Sequence, residues 1–215
     1  PHQTARPAHF CEACRGRLCR DQRTRCERCC STLPEHSSCL RCASAPAVPF
    51  AAAACLGSYE RELRDAILRS KHAAEIPLAA ALGEQLYDHA GDLMGIWRVD
   101  RVVAMPMHWT RRLIRGVNGP QIVAERIARR LGVREVSLLV RGRNTPPQAS
   151  LPPSTRQANV RGAFRVRRPK KVLGARILLV DDVMTTGATC REAATTLLKA
   201  GAAAVFVAVL ARADA

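Results

Sequence analysis

A pair of adjacent carboxylates follows an apolar segment in the C-terminal part of the chain. Residues 177–189 read ILLVDDVMTTGAT, so Asp181 and Asp182 come directly after a predicted strand. In parallel α/β sheets, ligands bind beyond the carboxyl ends of the strands, which is where these acids are expected to lie. Their natural partners are the hydroxyl groups of a sugar, which donate hydrogen bonds to carboxylates, or a divalent metal ion.

The turn after the acids has the composition of a phosphate-binding loop. Thr185, Thr186, Gly187, Ala188 and Thr189 offer hydroxyl and backbone N–H groups where a predicted helix begins, and the helix dipole favours an anion there. Gly187 allows a close approach because it has no Cβ atom. A phosphate at the turn and vicinal hydroxyls at the acids together describe a ribose 5-phosphate site. The alternative, a strand that merely ends in acids before a helix cap, would not explain both features.

Eight of the ten cysteines lie between Cys11 and Cys42 and define a small N-terminal module. Two C-x-x-C pairs, nine residues apart, can supply the four sulfur ligands of a tetrahedral zinc ion, and they fit a zinc ribbon. We therefore predict a structural zinc site, whose ligands are Cys26, Cys29, Cys39 and Cys42.

A second metal site is suggested by a third C-x-x-C pair, formed by Cys11 and Cys14. This pair needs two further ligands, for which Cys19, Cys30, His9 and His36 are the candidates. A disulfide framework, iron–sulfur ligation and redox use of a C-x-x-C pair are the alternatives for the cysteine-rich region.

Alternation of apolar strands with amphipathic helices predicts an α/β fold with a parallel sheet covered on both faces. Predicted helices begin near residue 58 and cover residues 77–94, 120–131 and 189–200, while predicted strands cover residues 100–107, 136–140, 175–180 and 203–211. Residues 43–57 are interpreted as a connector. This organisation predicts two domains, a cysteine-rich zinc ribbon over residues 1–45 and a larger α/β domain over residues 46–215.

The chain is strongly basic, with 34 Lys and Arg against 18 Asp and Glu and a net charge of +16. Such an excess indicates a polyanionic partner or a highly phosphorylated ligand. Residues 141–171 contain nine Lys or Arg and no acid, so they form either a solvated linker or a mobile basic lid over an anionic ligand. No apolar run reaches the roughly 18–20 residues of a membrane span, and we see no secretory signal, so a cytoplasmic protein is expected.

At the acid pair and the turn, the sequence resembles the type I phosphoribosyltransferases, whose motif for phosphoribosyl pyrophosphate (PRPP) is two acids followed by Thr-Thr-Gly-x-Thr. The wider chain is similar to the ComF/GntX-like competence proteins, which join an N-terminal zinc ribbon to a phosphoribosyltransferase domain. The segments that carry this resemblance are CERC with CLRC, Tyr59, Lys71, VVAMPMH, RRLIRGVN, TPPQ and Arg156 with NVRGAF.

The resemblance implies a type I phosphoribosyltransferase-like parallel sheet flanked by helices, with catalytic-site residues Asp181 and Asp182 holding the ribose hydroxyls and residues 185–189 binding the 5-phosphate. It also implies magnesium bound together with PRPP. Pyrophosphate is expected at Met105, Pro106, Met107, His108, Arg111, Arg112 and Arg115, and the lid would carry Arg141, Arg156 and Arg161.

Transfer of phosphoribose to an acceptor would be the activity, and nothing in the sequence selects the acceptor. The alternative that the resemblance implies is a non-catalytic component of DNA uptake or processing, which binds single-stranded DNA or a competence helicase-type protein. A third possibility is a degenerate transferase domain retained for assembly.

Overall fold

A computed structural model gives the architecture of the protein. It describes residues 9–21, 23–34, 38–44, 48–110, 113, 116–143, 152 and 155–214. The elements follow one another as α1 (Glu12–Leu18), α2 (Leu40–Ser44), β1 (Ala53–Ser58), α3 (Arg61–Arg69), α4 (Ile76–Ile96), β2 (Arg101–Ala104), α5 (Gly119–Leu131), β3 (Arg134–Glu135), β4 (Leu139–Arg141), α6 (Arg156–Val160), β5 (Phe164–Val166), β6 (Arg176–Met184), α7 (Ala188–Lys199) and β7 (Ala204–Arg212).

A five-stranded parallel sheet forms the centre of the molecule, with the strand order β1-β7-β6-β2-β3. The central strands β6 and β7 are almost entirely buried, which explains why both read as continuous apolar runs in the sequence. Their register joins Arg176 to Ala204 at one end and Met184 to Arg212 at the other. The parallel sheet and the α/β class are as the sequence predicts.

Successive residues of the central strands alternate between two apolar cores, one on each face of the sheet. Ile177 and Leu179 pack on the face covered by α7, whereas Leu178 and Val180 pack on the face covered by α4 and α5. Helix α4 is Ala-rich where it packs, so it can approach α5 and the sheet closely. These layers fix the carboxyl ends of the strands, where the site lies.

Three assignments made from the sequence were wrong in part. The predicted connector over residues 43–57 contains most of strand β1, which pairs in parallel with β7 at the edge of the sheet. The strand predicted over residues 136–140 is replaced by the two short strands β3 and β4, and β4 pairs antiparallel with β5 outside the main sheet. Strand β6 also continues through the acid pair to Met184 instead of ending before it.

The cysteine-rich segment packs directly on the larger part of the chain. The backbone N–H of Ala53 in β1 donates to the carbonyl oxygen of Glu27 at 2.6 Å. Leu18 and Cys30 are buried in the two cores on opposite faces of the sheet. None of the helices in the described part of the chain combines the length and the apolarity that crossing a membrane requires.

Candidate ligand-binding cleft and metal cluster

A cleft of about 260 Å³ opens at the carboxyl end of the sheet. It exists because β2 ends at Ala104, beside Val180, while β6 and β7 continue past that point. The chain therefore leaves the acids of β6 without a strand on one side. The cleft is lined by Tyr59, Lys71, Met105, Pro106, Met107, Asn118, Pro120, Arg141, Asp181, Asp182, Val183, Met184, Thr185, Thr186, Gly187, Ala188, Thr189 and Cys190.

The two acids sit side by side on the cleft but in different surroundings. Asp181 is 9% exposed, and burial together with the neighbouring charge of Asp182 raises its pKa to about 8. One of its oxygens, Oδ1, accepts a hydrogen bond from the backbone N–H of Asp182 at 2.9 Å. The raised pKa favours the protonated form of Asp181, in which the carboxyl group can both donate and accept hydrogen bonds.

Lys71 supplies a positive charge opposite the acid pair. Its Nζ lies 3.0 Å from Oδ2 of Asp182, and both side chains are 25% exposed. The other oxygen of Asp182 accepts the backbone N–H of Val183 at 2.7 Å, which fixes the direction of the carboxylate. The sequence resemblance included Lys71 without giving it a role, because its position across from Asp182 arises only when the segment after α3 folds over the cleft.

The turn between β6 and α7 adopts a conformation that favours glycine. Gly187 has φ 78° and ψ 3°, in the left-handed region, and α7 begins at the next residue. Thr186 Oγ1 accepts the backbone N–H of Ala188 at 3.4 Å. The five residues predicted to bind phosphate, residues 185–189, all line the cleft beside the N-terminus of a 12-residue helix, so its dipole adds to the positive potential there.

The loop after β2 forms another wall of the cleft. Met105, Pro106 and Met107 line it, and the side-chain Nδ2 of Asn118 donates to the carbonyl oxygen of Met105 at 3.1 Å. His108 is buried, and its Nδ1 lies 2.8 Å from the hydroxyl of Thr110. His108 is not one of the described residues that line the cleft. The predicted pyrophosphate ligands Arg111, Arg112 and Arg115 lie outside the described residues.

Of the three arginines assigned to the lid, Arg141 lines the cleft. It lies at the end of β4, and its guanidinium is 5.7 Å from the ring centroid of Phe164 in β5. Arg156 begins α6 and Arg161 follows it, and neither is among the described residues that line the cleft. Within the lid predicted from Arg141 to Arg161, residues 144–151, 153 and 154 lie outside the described residues.

Four cysteines are positioned to hold a metal ion, and they are the four that the sequence predicts. The sulfur atoms of Cys26, Cys29, Cys39 and Cys42 all lie within 4.8 Å of one another. The Sγ atoms of Cys26 and Cys42 are 3.8 Å apart, and those of Cys29 and Cys39 are 3.6 Å apart. A tetrahedral zinc site with Zn–S distances of about 2.3 Å has S–S edges of about 3.8 Å, so the donor set fits zinc.

The remaining cysteines of the N-terminal region do not join this cluster. Cys14 lies in α1, where its sulfur accepts a hydrogen bond from Arg17 at 3.4 Å, and Cys19 accepts one from Gln85 at 3.3 Å. Cys11 precedes α1 and is exposed. All ten cysteines are free thiols, so the disulfide framework has no counterpart in the structure.

Two arginines that are not among the cleft-lining residues contact the turn between β6 and α7. Arg212, at the end of β7, donates to the carbonyl oxygens of Met184 and Thr185. Arg41, in the second C-x-x-C knuckle, donates to the carbonyl oxygen of Thr185 at 3.3 Å. Neither role is predictable from the sequence, because Arg41 lies 144 residues from Thr185 and Arg212 meets the turn only through the pairing of β6 with β7.

Comparisons with known proteins agree with this architecture. Residues 119–215 match the phosphoribosyl transferase domain family. Over 210 residues the chain is 33% identical to the DNA utilization protein YhgH of Escherichia coli strain K12, an alignment that covers 94% of this chain and 90% of that protein. It is 32% identical, with the same coverage, to the protein of that name in Salmonella typhimurium strain LT2.

A more distant relative is competence protein F of Haemophilus influenzae strain Rd, which is 28% identical over 163 residues, or 74% of this chain and 71% of that protein. The parallel sheet, the cleft at its carboxyl edge and the domain match define a protein with a phosphoribosyltransferase fold. The full-length similarity and the four-cysteine cluster then place it further: the chain belongs to the ComF/GntX-like family of competence proteins.

Proposed function

We propose that the cleft binds PRPP together with magnesium and transfers its phosphoribosyl group to an acceptor. One observation carries the proposal: the acid pair and the hydroxyl-rich turn line a single cleft, with the N-terminus of α7 at one end. A ligand that spans them must carry a phosphate at one end and hydrogen-bonding hydroxyls next to it. PRPP has both, and it also carries a pyrophosphate group, which the sequence resemblance assigns to the loop after β2.

In this proposal each wall of the cleft contacts a different part of the ligand. The turn over residues 185–189 binds the 5-phosphate through hydroxyl and amide groups. Asp181 and Asp182 bind the two ribose hydroxyls, and the proton on Asp181 adds a donor to that pair. The loop over residues 105–108, with Arg111, Arg112 and Arg115, faces the pyrophosphate, and the lid of Arg141, Arg156 and Arg161 closes over it.

The residues of the cleft also suit magnesium. This ion prefers oxygen ligands and is commonly bound by one or two carboxylates together with the phosphates of a substrate, and Asp182 presents a partly exposed carboxylate to the cleft. When bound, magnesium supplies positive charge that stabilises the departing pyrophosphate.

The transfer step requires little covalent chemistry from the protein. The bond between the anomeric carbon and pyrophosphate breaks, pyrophosphate leaves with the bonding electrons, and a lone pair of the acceptor forms the new bond. The cleft would hold the ribose in position, and Lys71 and Arg141 would add positive charge near the leaving group. We further propose that residues 1–45 bind one structural zinc ion and residues 46–215 bind the substrate.

Calorimetry of the metal-loaded full chain with PRPP and magnesium tests the proposal. The wild-type protein should bind, and the double variant Asp181→Asn, Asp182→Asn should bind at least about tenfold more weakly, because hydrogen bonds to charged groups contribute about 1.5–3 kcal/mol. Asp65→Asn serves as the matched control, since Asp65 is exposed on α3 and is not among the described residues that line the cleft. Absence of binding by the wild type, or equal affinity of the double variant, contradicts the proposal.

A second candidate function is binding of single-stranded DNA in DNA uptake or processing, alone or with a helicase-type partner. The net charge of +16 favours it, as do the names of the relatives, a DNA utilization protein and a competence protein. Affinity for a labelled oligonucleotide, measured by fluorescence anisotropy at several salt concentrations, should fall steeply with salt because binding to phosphates releases counterions. No binding at low salt would exclude this function.

A further inference from the structure

The second C-x-x-C knuckle reaches the phosphate-binding turn through Arg41. This residue lies between two cysteines of the metal cluster, and its Nη1 donates to the carbonyl oxygen of Thr185 at 3.3 Å. Arg212 donates from its own Nη1 to the same carbonyl oxygen, and to that of Met184 at 2.8 Å. The backbone at the start of the turn is thus held by two guanidinium groups.

Arg212 also connects the turn to the first knuckle. Its Nη2 donates to the hydroxyl of Ser31 at 3.1 Å, and that hydroxyl lies 3.4 Å from the sulfur of Cys29. The Arg212 side chain is only 1% exposed, and its Nε is 3.5 Å from a carboxylate oxygen of Asp214. A buried charge held by several partners is costly to move, so this connection is rigid.

Fixing one carbonyl oxygen also fixes the donor that faces the ligand. A trans peptide unit is planar, and its C=O and N–H bonds point in opposite directions. The peptide between Thr185 and Thr186 is trans, and its carbonyl oxygen is directed at the two arginines. The N–H of Thr186 therefore points away from them, and Thr186 lines the cleft.

We propose that Arg41 and Arg212 are positioning residues, which couple the four-cysteine cluster to the phosphate-binding turn so that metal in the cluster raises the affinity of the turn for a sugar phosphate. This inference rests on the proposed function of the cleft. The two arginines act through the backbone of the turn and would not touch the ligand themselves.

Metal is needed for the coupling because the second knuckle is a short segment. Helix α2, which carries Arg41, has only five residues, and metal ligation supplies much of the folding free energy of such small modules. Four thiolates around one divalent ion also leave a net negative charge beside the two guanidinium groups. That charge favours keeping both arginines where they meet the turn. Linkage then requires that the ligand in turn strengthens metal binding.

The chain contains a matched control for Arg41. Arg28 occupies the same place in the first knuckle, CERC, that Arg41 occupies in the second, CLRC. Arg28 is exposed, and its side chain makes no hydrogen bond or ion pair with the described residues. Arg41→Met and Arg28→Met therefore each remove one positive charge from beside the cluster, but only Arg41→Met removes the contact with Thr185.

The first measurement needs no ligand. In the metal-loaded full chain, hydrogen exchange of the backbone amides over residues 185–190 should be faster in Arg41→Met than in Arg28→Met and the wild type. The second measurement is calorimetry with PRPP and magnesium, in which Arg41→Met should bind about tenfold more weakly and Arg28→Met within about twofold of the wild type. After the zinc is removed with a chelator, Arg41→Met should cause no further loss.

Three results would overturn the coupling: equal amide exchange in the two variants, equal affinities of the two variants, or an undiminished effect of Arg41→Met after removal of the metal. Failure of the wild type to bind PRPP would refute the proposed function instead. In that case the exchange measurement, made with and without metal, still decides whether the arginines couple the cluster to the turn.

Discussion

At the scale of single residues, Asp181 lines the cleft, and the burial of its carboxylate lowers the free energy of unfolding. Burial and the charge of Asp182 raise its pKa from 3.8 to about 8, so the folded protein retains a proton that the unfolded chain releases above about pH 4. The free energy of unfolding therefore falls as the pH rises between these two values. Such a cost is typical of groups retained for binding or catalysis.

Replacing Asp181 with asparagine should stabilise the ligand-free protein at pH 8. Asparagine keeps an oxygen for the backbone N–H of Asp182 and removes the ionisation. Each unit of pKa shift corresponds to about 1.4 kcal/mol, and even a gain of about 2 kcal/mol would raise the melting temperature by about 4–8 °C. The gain should be smaller at pH 5, where less of the cost is present. Thermal unfolding at both pH values measures this, and a lower melting temperature at pH 8 would show that burial does not penalise the carboxylate.

Lys71 is predicted to attract the ligand and to lower the pKa of Asp181. Lys71→Met removes the positive charge 3.0 Å from Asp182, so the affinity for PRPP should fall about five- to tenfold. The pKa of Asp181 should rise further, because the charge of Lys71 lowers it in the wild type. Calorimetry at several pH values reports both effects. Lys199→Met, in the last turn of α7, is the control. Unchanged affinity of Lys71→Met for PRPP would show that Lys71 does not contribute to ligand binding.

At the scale of elements, the neighbouring positions of the acid pair and the turn were easier to predict than the elements around them. The acids and the turn are adjacent in sequence, so ILLVDDVMTTGAT defines their local geometry without knowledge of the fold. Strand β1 was missed because its sequence, AACLGS, has none of the β-branched residues that mark strands, and because it pairs with β7, which is about 150 residues away in the sequence. The extension of β6 through the acids likewise depends on its partner β7.

The contributions of Lys71, Arg41 and Arg212 could not be predicted from local patterns. Each meets the site through tertiary packing, across more than a hundred residues for Lys71 and Arg41 and through neighbouring strands for Arg212. The cysteine cluster was predictable because zinc ligation imposes a fixed spacing within each knuckle, whereas nothing in that spacing indicates which other segment the knuckle will contact.

Gly187 is required by the backbone conformation of the turn. Gly187→Ala places an L side chain at φ 78°, which costs about 1–2 kcal/mol, although the added Cβ would have room, with Met184 Sδ at 3.6 Å. The melting temperature should fall by about 2–8 °C, and the affinity for PRPP should fall with it. Gly95→Ala, at an exposed position of α4 with no neighbour within 4 Å, should be neutral or stabilising. Equal effects of the two substitutions would mean that the turn does not depend on the left-handed conformation.

At the scale of the whole molecule, the segment that carries the metal cluster is hydrogen-bonded to the central sheet. The backbone N–H of Ala53 donates to the carbonyl oxygen of Glu27 in the first knuckle, and Arg212 donates to the hydroxyl of Ser31 just beyond it. The cysteine-rich segment therefore contacts the sheet both at the start of β1 and at the end of β7. Loss of the metal should consequently affect the stability of the entire chain.

We predict one zinc ion per chain, held by the four-cysteine cluster. Cys42→Ser should abolish zinc binding and lower the melting temperature of the full chain, because binding to the native state alone stabilises it. Cys11→Ser, which changes an exposed cysteine outside the cluster, should leave both unchanged. Elemental analysis and thermal unfolding measure these effects. Two zinc ions per chain in the wild type, or loss of one zinc ion in Cys11→Ser, would indicate that the protein has a second zinc site.

We propose that the turn binds a phosphate while the acids bind the hydroxyl groups of the same sugar. The most direct test of this claim is to compare the dissociation constants of ribose 5-phosphate and 2-deoxyribose 5-phosphate for the wild type and for Asp182→Asn. We predict that the wild type prefers ribose 5-phosphate by about tenfold and that Asp182→Asn loses most of this preference, since the acids contact the hydroxyl that the deoxy sugar lacks. Equal affinity of the wild type for the two sugars would contradict the claim.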